Sequence, residues 1–314
     1  MALEPLGFVD LPEHVNDGGF DHAAVHEATG LTYVAHTAND AVDVIDVGTR
    51  RYLGSIPGLP AVAGALVSDD PALVFTSNRG ENTIGMFAPA SSAASRLPAA
   101  ADKIGVGMRP NGLAFSPRHG QVLVAHVGDP AIPGSCTVSL VDVRAKRRIA
   151  DVPVPGRTRW AVFDPVADAF VVNIMDPPRI VVVSAGEAPG IRRTVPIPHA
   201  GPHGLDIDVA RRRWFCACDA GVLVELDADT GEILRTDTLA GVPDVVFFNA
   251  RRSRLYVAVG DPGVIEVFDT TKLQHHEVVR TESGAHTLSF DATRHLVCAF
   301  LPGTHRAAVY LDHP

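Results

Sequence analysis

Five histidines stand where a β-rich chain would bring distant segments together: His22, His36, His126, His203 and His286. Each lies in a short polar stretch beside an apolar one, as in "GPHGLDIDVARRRWFCACDAG" (201–221), "RPNGLAFSPRHGQVLVAHVGD" and "GAHTLSFDATRHLVCAFLPG". Imidazoles supplied by separate segments, with Asp or Asn beside them, suit a divalent transition metal that keeps one position open. Such an ion acidifies a bound water or polarises a carbonyl. On this reading His22, His203 and His286 ligate the ion, and His36 or His126 completes the set or orients a water. His22 stands one residue out of register with His203 and His286; strand alternation would then turn it away and put Asp21 in its place. These donors do not distinguish Zn, Mn, Ni, Fe and Cu. Asp21, Arg159 and His126 are the expected catalytic groups, and Asn78, Asn111, Asn173 and Trp160 are expected around the substrate. Arg159, with Arg79 or Arg109, would hold a substrate carboxylate. Without a metal, a histidine paired with Asp21 serves as general base. Asn78 and Asn173 have a second reading, as caps of the turn that follows a strand.

The elements that must position these residues are repeated. An apolar strand, a turn, a second strand and a third ending near Asp recur as "HAAVHEATGLTYVAHTANDAVDVIDV", "GLDIDVARRRWFCACDAGVLVELDA" and "TLSFDATRHLVCAFLPGTHRAAVYLD". Seven copies follow one another, spaced by roughly 40–48 residues, the period of four-stranded propeller blades. Fourth strands such as "RYLGSIPGLP" and "RRIADVPVPG" separate the copies. The last copy is followed by no such segment, whereas "EPLGFVDLPEH" precedes the first and fits the pattern. The expected fold is therefore all-β: a seven-bladed β-propeller whose N-terminal strand completes the last blade and removes the open sheet edge. Its blades are drawn at 14–59, 60–106, 107–156, 157–200, 201–241, 242–283 and 284–314 plus 1–13, in one domain.

In such a ring the first strand of each blade lines a central channel and the second runs back antiparallel to it. The start of the first and the end of the second then share one face of the disc. Asp21, Ala63, Asn111, Arg159, His203, Pro243 and His286 fall at the first position; His36, Asn78, His126, Asn173 and Cys218 or Asp219 fall at the second. The histidines are thus expected to gather at one mouth of the channel.

The strings "GLAFSPRHGQVLVAH" and "LTYVAHTANDAVDVIDV" resemble the YVTN-type repeat family, and the resemblance covers nearly the whole chain. It implies the propeller fold and places the chain near lactonase-like propellers, which include enzymes, cofactor-protein subunits and many surface or periplasmic proteins. Seven-bladed lactonases and polysaccharide lyases are the nearest enzymatic analogues that it implies, and some of those lyases carry a histidine-rich metal site at this location. The leading expectation is a metal-dependent hydrolase or lyase acting on a small carboxylated or lactone substrate. The alternative is a non-catalytic propeller that binds a ligand or a protein partner.

Composition narrows the classes further. With 28 Gly and 24 Pro spread along the chain and 46% hydrophobic residues, many short strands around a large core are favoured over long helices. The formal charge of −9 and the shortness of "KRR" (146–148) and "RRR" (211–213) argue against nucleic acid as a partner. No apolar run approaches the ~18 residues of a membrane span. The N-terminal stretch lacks a basic start and an apolar core, so a cytoplasmic location is expected. Cys136, Cys216, Cys218 and Cys298 lack metal or redox spacing and read as small core residues. No GxSxG, P-loop, GxGxxG opening a helix or HExxH is present. Oligomeric state is left open.

Overall fold

The second strand of each repeat is apolar on both of its faces. Leu31–His36 (LTYVAH) and Gln121–His126 (QVLVAH) are buried at every position. A strand of that kind needs cover above and below, so its sheet must be sandwiched. Fourth strands differ: Ile233–Thr238 is mostly exposed and carries Arg235 and Asp237 outward. Carboxylates close the turns between third and fourth strands. Asp46, Asp142, Asp227 and Asp269 accept backbone N–H groups two or three residues on, at 2.8–3.0 Å. That is why these four third strands end at Asp.

A computed structural model describes residues 2–98 and 101–314. It contains seven four-stranded antiparallel sheets, six of them formed from four consecutive strands. The innermost strands are Phe20–His26, Val62–Asp69, Pro110–Ser116, Thr158–Asp164, Pro202–Asp208, Val242–Asn249 and Thr287–Asp291. Each packs on the next and the seventh packs on the first, which makes a seven-bladed β-propeller around a central channel. The core is divided among the seams: seven clusters of buried side chains each join two neighbouring blades. Cys216, Cys218 and Cys298 are buried in these clusters; Cys136 is half-buried, and all four are unpaired. Among the described residues no helix is long and apolar enough to cross a membrane.

The ring is closed by the two ends of the chain. Leu3–Asp10 pairs antiparallel with Arg306–Asp312, from Leu3 opposite Asp312 to Asp10 opposite Arg306, with a bulge between Pro5 and Gly7. Carboxylates clasp both ends to blade six. Glu277 Oε2 accepts the N–H groups of Ala2 and Leu3 at 2.6 and 3.0 Å. Asp312, fully buried, accepts from Asn249 at 2.8 Å and Tyr256 at 2.7 Å and pairs with Arg252 and Arg254. Removing residues 1–11 should therefore strip the buried Leu3 and Val9 from two seams, costing about 3–6 kcal/mol for the two side chains alone. Urea unfolding should show a lower midpoint, with aggregation from the uncovered edge; an unchanged midpoint would mean that closure contributes little.

Candidate functional site at one mouth of the channel

A bulge repeated round the ring builds the mouth. In blades one, three, four and five the inner strand carries one extra residue relative to its partner: Phe20 faces His36 and Ala23 faces Val34, and the same step recurs at Pro110/Leu113, Thr158/Ala161 and Pro202/Leu205. Blade six repeats it between Pro243 and Val246. Bulges of this kind re-aim side chains, and here they present Asp21, Asn111, Arg159, His203 and Asp244 at one mouth. The register corrects one expectation: Pro243 faces Val259 as Pro202 faces Cys218, so blade six contributes Asp244 rather than Pro243.

Glycine follows the bulge residue in three blades for a steric reason. A Cβ on Gly64, Gly112 or Gly204 would stand 2.5, 2.4 or 2.2 Å from the carbonyl oxygen of Asn111, Arg159 or Asp244 in the next blade. Where the following residue is larger, its side chain enters the channel. His22 and Trp160 are the two such cases in blades one and four, and their rings meet with centroids 4.1 Å apart.

A second ring of residues lies just past the second strands. The N–H groups of Arg79, Met175 and Asp219 donate to the carbonyls of Ala61, Arg157 and Gly201 at 3.3, 2.8 and 2.8 Å. Their side chains meet the first ring. His203 Nδ1 donates to Asp219 Oδ1 at 2.7 Å, and its Nε2 lies 3.1 Å from Asp244 Oδ1. Arg159 reaches Asp219 Oδ2 at 3.5 Å and Met175 Sδ at 3.4 Å. Arg79 joins Asp21 Oδ2 at 3.2 Å and also donates to Asn111 Oδ1. His286 donates from Nδ1 to the Gly284 carbonyl at 2.8 Å, and its Nε2 is 3.8 Å from Asp244.

Charge is unevenly distributed over this set. Burial disfavours the His203 cation, but Asp244 and Asp219 overcome it and raise the imidazole to about 9. Against its own burial, Asp244 is held well below the usual carboxylate range, chiefly by His203. His22 moves the other way: burial, aided by Arg79 and His203, lowers it and keeps it neutral despite Asp21 and Asp244. Arg157 is pressed down by burial and by the nearby Arg159, Arg109 and Arg79. Four arginines and the His203 cation thus share this end of the channel with Asp21, Asp219 and Asp244.

The structure brings together Asp21, His22, Asn111, Arg159, Trp160, His203 and His286 and sets the remaining expected residues apart. His36 and His126 end the second strands with side chains turned into the blades, away from the channel. His36 is fully buried, with Nδ1 2.7 Å from Asp43 Oδ2, and Ser55 donates to the same carboxylate at 2.5 Å. His126 is equally buried, 2.8 Å from Thr137 Oγ1. The cause is the two-residue period of a strand: the channel-facing position is one residue further on. Asn173 is buried and donates to the His203 and Gly204 carbonyls at 2.9 and 3.1 Å. Asn78 is buried between Thr76 and Thr83. Both amides tie backbone and strands together, away from the channel mouth.

His203 and His286, two of the expected metal ligands, have other partners at the mouth. Both nitrogens of His203 face carboxylate oxygens, Nδ1 toward Asp219 and Nε2 toward Asp244. Nδ1 of His286 is committed to a carbonyl. Among the described residues no group of three or more His, Cys, Asp or Glu side chains is arranged to hold an ion. Sequence reasoning missed Arg157 and Met175, although both lie within three residues of positions it selected.

The fold and the ringed mouth define the chain as a seven-bladed β-propeller with a charged channel entrance. Compared with known proteins, its sequence matches no family model and no curated relative.

Raised to about 9, His203 contributes stability that is complete below its ordinary 6.5 and is lost as pH rises through 9. His126 has the opposite sign. Burial lowers it to about 4, so its contribution is present above 6.5 and falls away as pH drops towards 4. Urea unfolding between pH 6.5 and 9.5 should show a loss of up to about 3 kcal/mol, absent from His203→Gln. Equal slopes for wild type and variant would remove His203 from the balance.

Proposed function

We propose that the mouth binds a small carboxylated molecule. The observation that carries this reading is the convergence of Arg79, Arg109, Arg157 and Arg159 at one entrance. Arg79 and Arg159 are partly engaged by Asp21 and Asp219, whereas Arg109 and Arg157 form no salt bridge among the described residues. A guanidinium crowded by like charge gains most from an anion, and its planar fork suits a carboxylate. The field of the entrance adds attraction for anions from solution.

A catalytic reading of the same site is favoured by one observation: two histidines with opposite protonation. His203 is held as a cation and His22 as a neutral ring. Pairs of titratable groups pushed apart in this way are how a site supplies acid and base together. With a substrate carboxylate on Arg157 and Arg159, His203 would donate a proton to a leaving or carbonyl oxygen. His22 would accept one from carbon in an elimination, or from water in the hydrolysis of a lactone. Hydrolysis of a lactone yields the carboxylate that the arginines suit. The reading draws on the mouth residues themselves and invokes no metal; the likeness to YVTN-type and lactonase-like repeats agrees with it. The alternative, a propeller that only binds, shares the same arginine contacts.

Calorimetric titration with succinate should show one saturable site. Arg157→Ala and Arg159→Ala should each weaken it at least tenfold, and both should weaken further as salt is raised. Undiminished binding in both variants would overturn the reading. If a substrate is found, His203→Gln should lower kcat by about 10²–10⁴-fold while changing KM little; an unchanged kcat would leave binding alone.

A further inference from the structure

Behind the His22–Trp160 pair the channel changes character. A cavity of about 660 Å³ opens on the opposite face, the one that carries the turns between first and second strands. Its walls are aliphatic, and four aromatic side chains, Phe115, Trp160, Phe163 and Phe247, line it. Trp160 and Phe247 meet edge to face, with centroids 6.4 Å apart. None of the described lining residues is lysine or arginine. The acidic ones are Asp206 within the cavity wall and Asp69 and Asp70 at the turn of blade two.

Asp206 is the unusual member. It sits in the middle of an inner strand, in a wall otherwise built of Ile207, Val246 and other apolar side chains. Its Oδ1 accepts the Ile207 N–H at 2.8 Å and its Oδ2 accepts the Phe248 N–H at 2.7 Å. No cationic side chain pairs with it among the described residues. Burial pushes its carboxyl up to about 6, against those two backbone donors. A carboxyl so placed is costly for the fold unless something offsets the desolvation. Asp69 is partly engaged, 3.5 Å from His26 Nε2 and accepting the Ala28 N–H at 3.4 Å.

We propose that this chamber is a second binding site, for an organic ammonium ion: a positive charge on a small apolar frame. Aromatic faces attract such a cation through their quadrupoles, the aliphatic walls take its carbon frame, and Asp206 supplies the counter-charge. The opposite mouth suits anions, so the channel holds two sites of opposite polarity separated by one layer of side chains.

The test uses benzyltrimethylammonium on the full chain, followed by calorimetry, with benzyl alcohol as a neutral probe of similar frame. The cation should bind at one saturable site at least tenfold more tightly than the alcohol. Asp206→Asn should remove most of that preference by weakening the cation at least tenfold. Phe247→Leu, which leaves Asp206 in place, should weaken the cation several-fold and serves if the first variant does not fold. No saturable binding of the cation, equal affinity for the alcohol, or variants within twofold of wild type would each overturn the proposal.

Discussion

Everything in this molecule depends on the burial of both faces of every sheet. A single blade has too much apolar surface to stand alone: its second and third strands are apolar front and back, and its partners are the sheets on either side. Seven seams share the core, and no blade has a private one. A ring is the arrangement that leaves no terminal blade uncovered. The pairing of Leu3–Asp10 with Arg306–Asp312 completes the last sheet, so the final two seams, blade six with seven and seven with one, have their full complement of side chains.

That requirement also shapes the channel. At three seams the blades approach backbone to backbone at the centre, which is what Gly64, Gly112 and Gly204 permit. The bulge residue beside each glycine is forced to present its side chain to the axis. The positions that are free of packing duty are therefore fixed by the packing itself. They hold a set of charged and polar groups that have no place in a seam. At one level of the axis these groups are arginines, carboxylates and His203; a few residues along the same strands they give way to Phe115, Phe163 and Phe247.

The architecture was legible because it repeats. Strand, turn, strand and terminal Asp recur with enough regularity to count the blades, and "EPLGFVDLPEH" declared itself as the missing outer strand by its likeness to the others. The first ring of the mouth was legible too, since Asp21, Asn111, Arg159 and His203 occupy one place in the repeat. The shift from Pro243 to Asp244 was not, because a bulge hides in the sequence as one unremarkable residue. Nor did histidine at the end of a strand say which way it points. His36 and His126 have the polarity of channel residues and the burial of core ones, and the difference lies in partners such as Asp43 and Thr137 that are brought near only by the neighbouring strand. Arg157 was hidden for a related reason: its significance comes from Arg159 beside it and from Arg79 and Arg109 in two other blades.

The joined ends have a bearing on the order of events during synthesis. His313 donates its N–H to the carbonyl of Ala2 at 2.8 Å, so an early and a late segment of the propeller are hydrogen-bonded neighbours. Leu3 and Val9 emerge early and have no partner strand until Arg306–Asp312 exists. Blades one to six can assemble locally, each from consecutive strands, while the seventh waits for a contact spanning the whole chain. Closure is thus the contact of greatest sequence separation and the entropically most demanding step of ordering. In the interval an apolar strand is exposed, and the nascent ring stays an open arc whose first and last seams are unprotected.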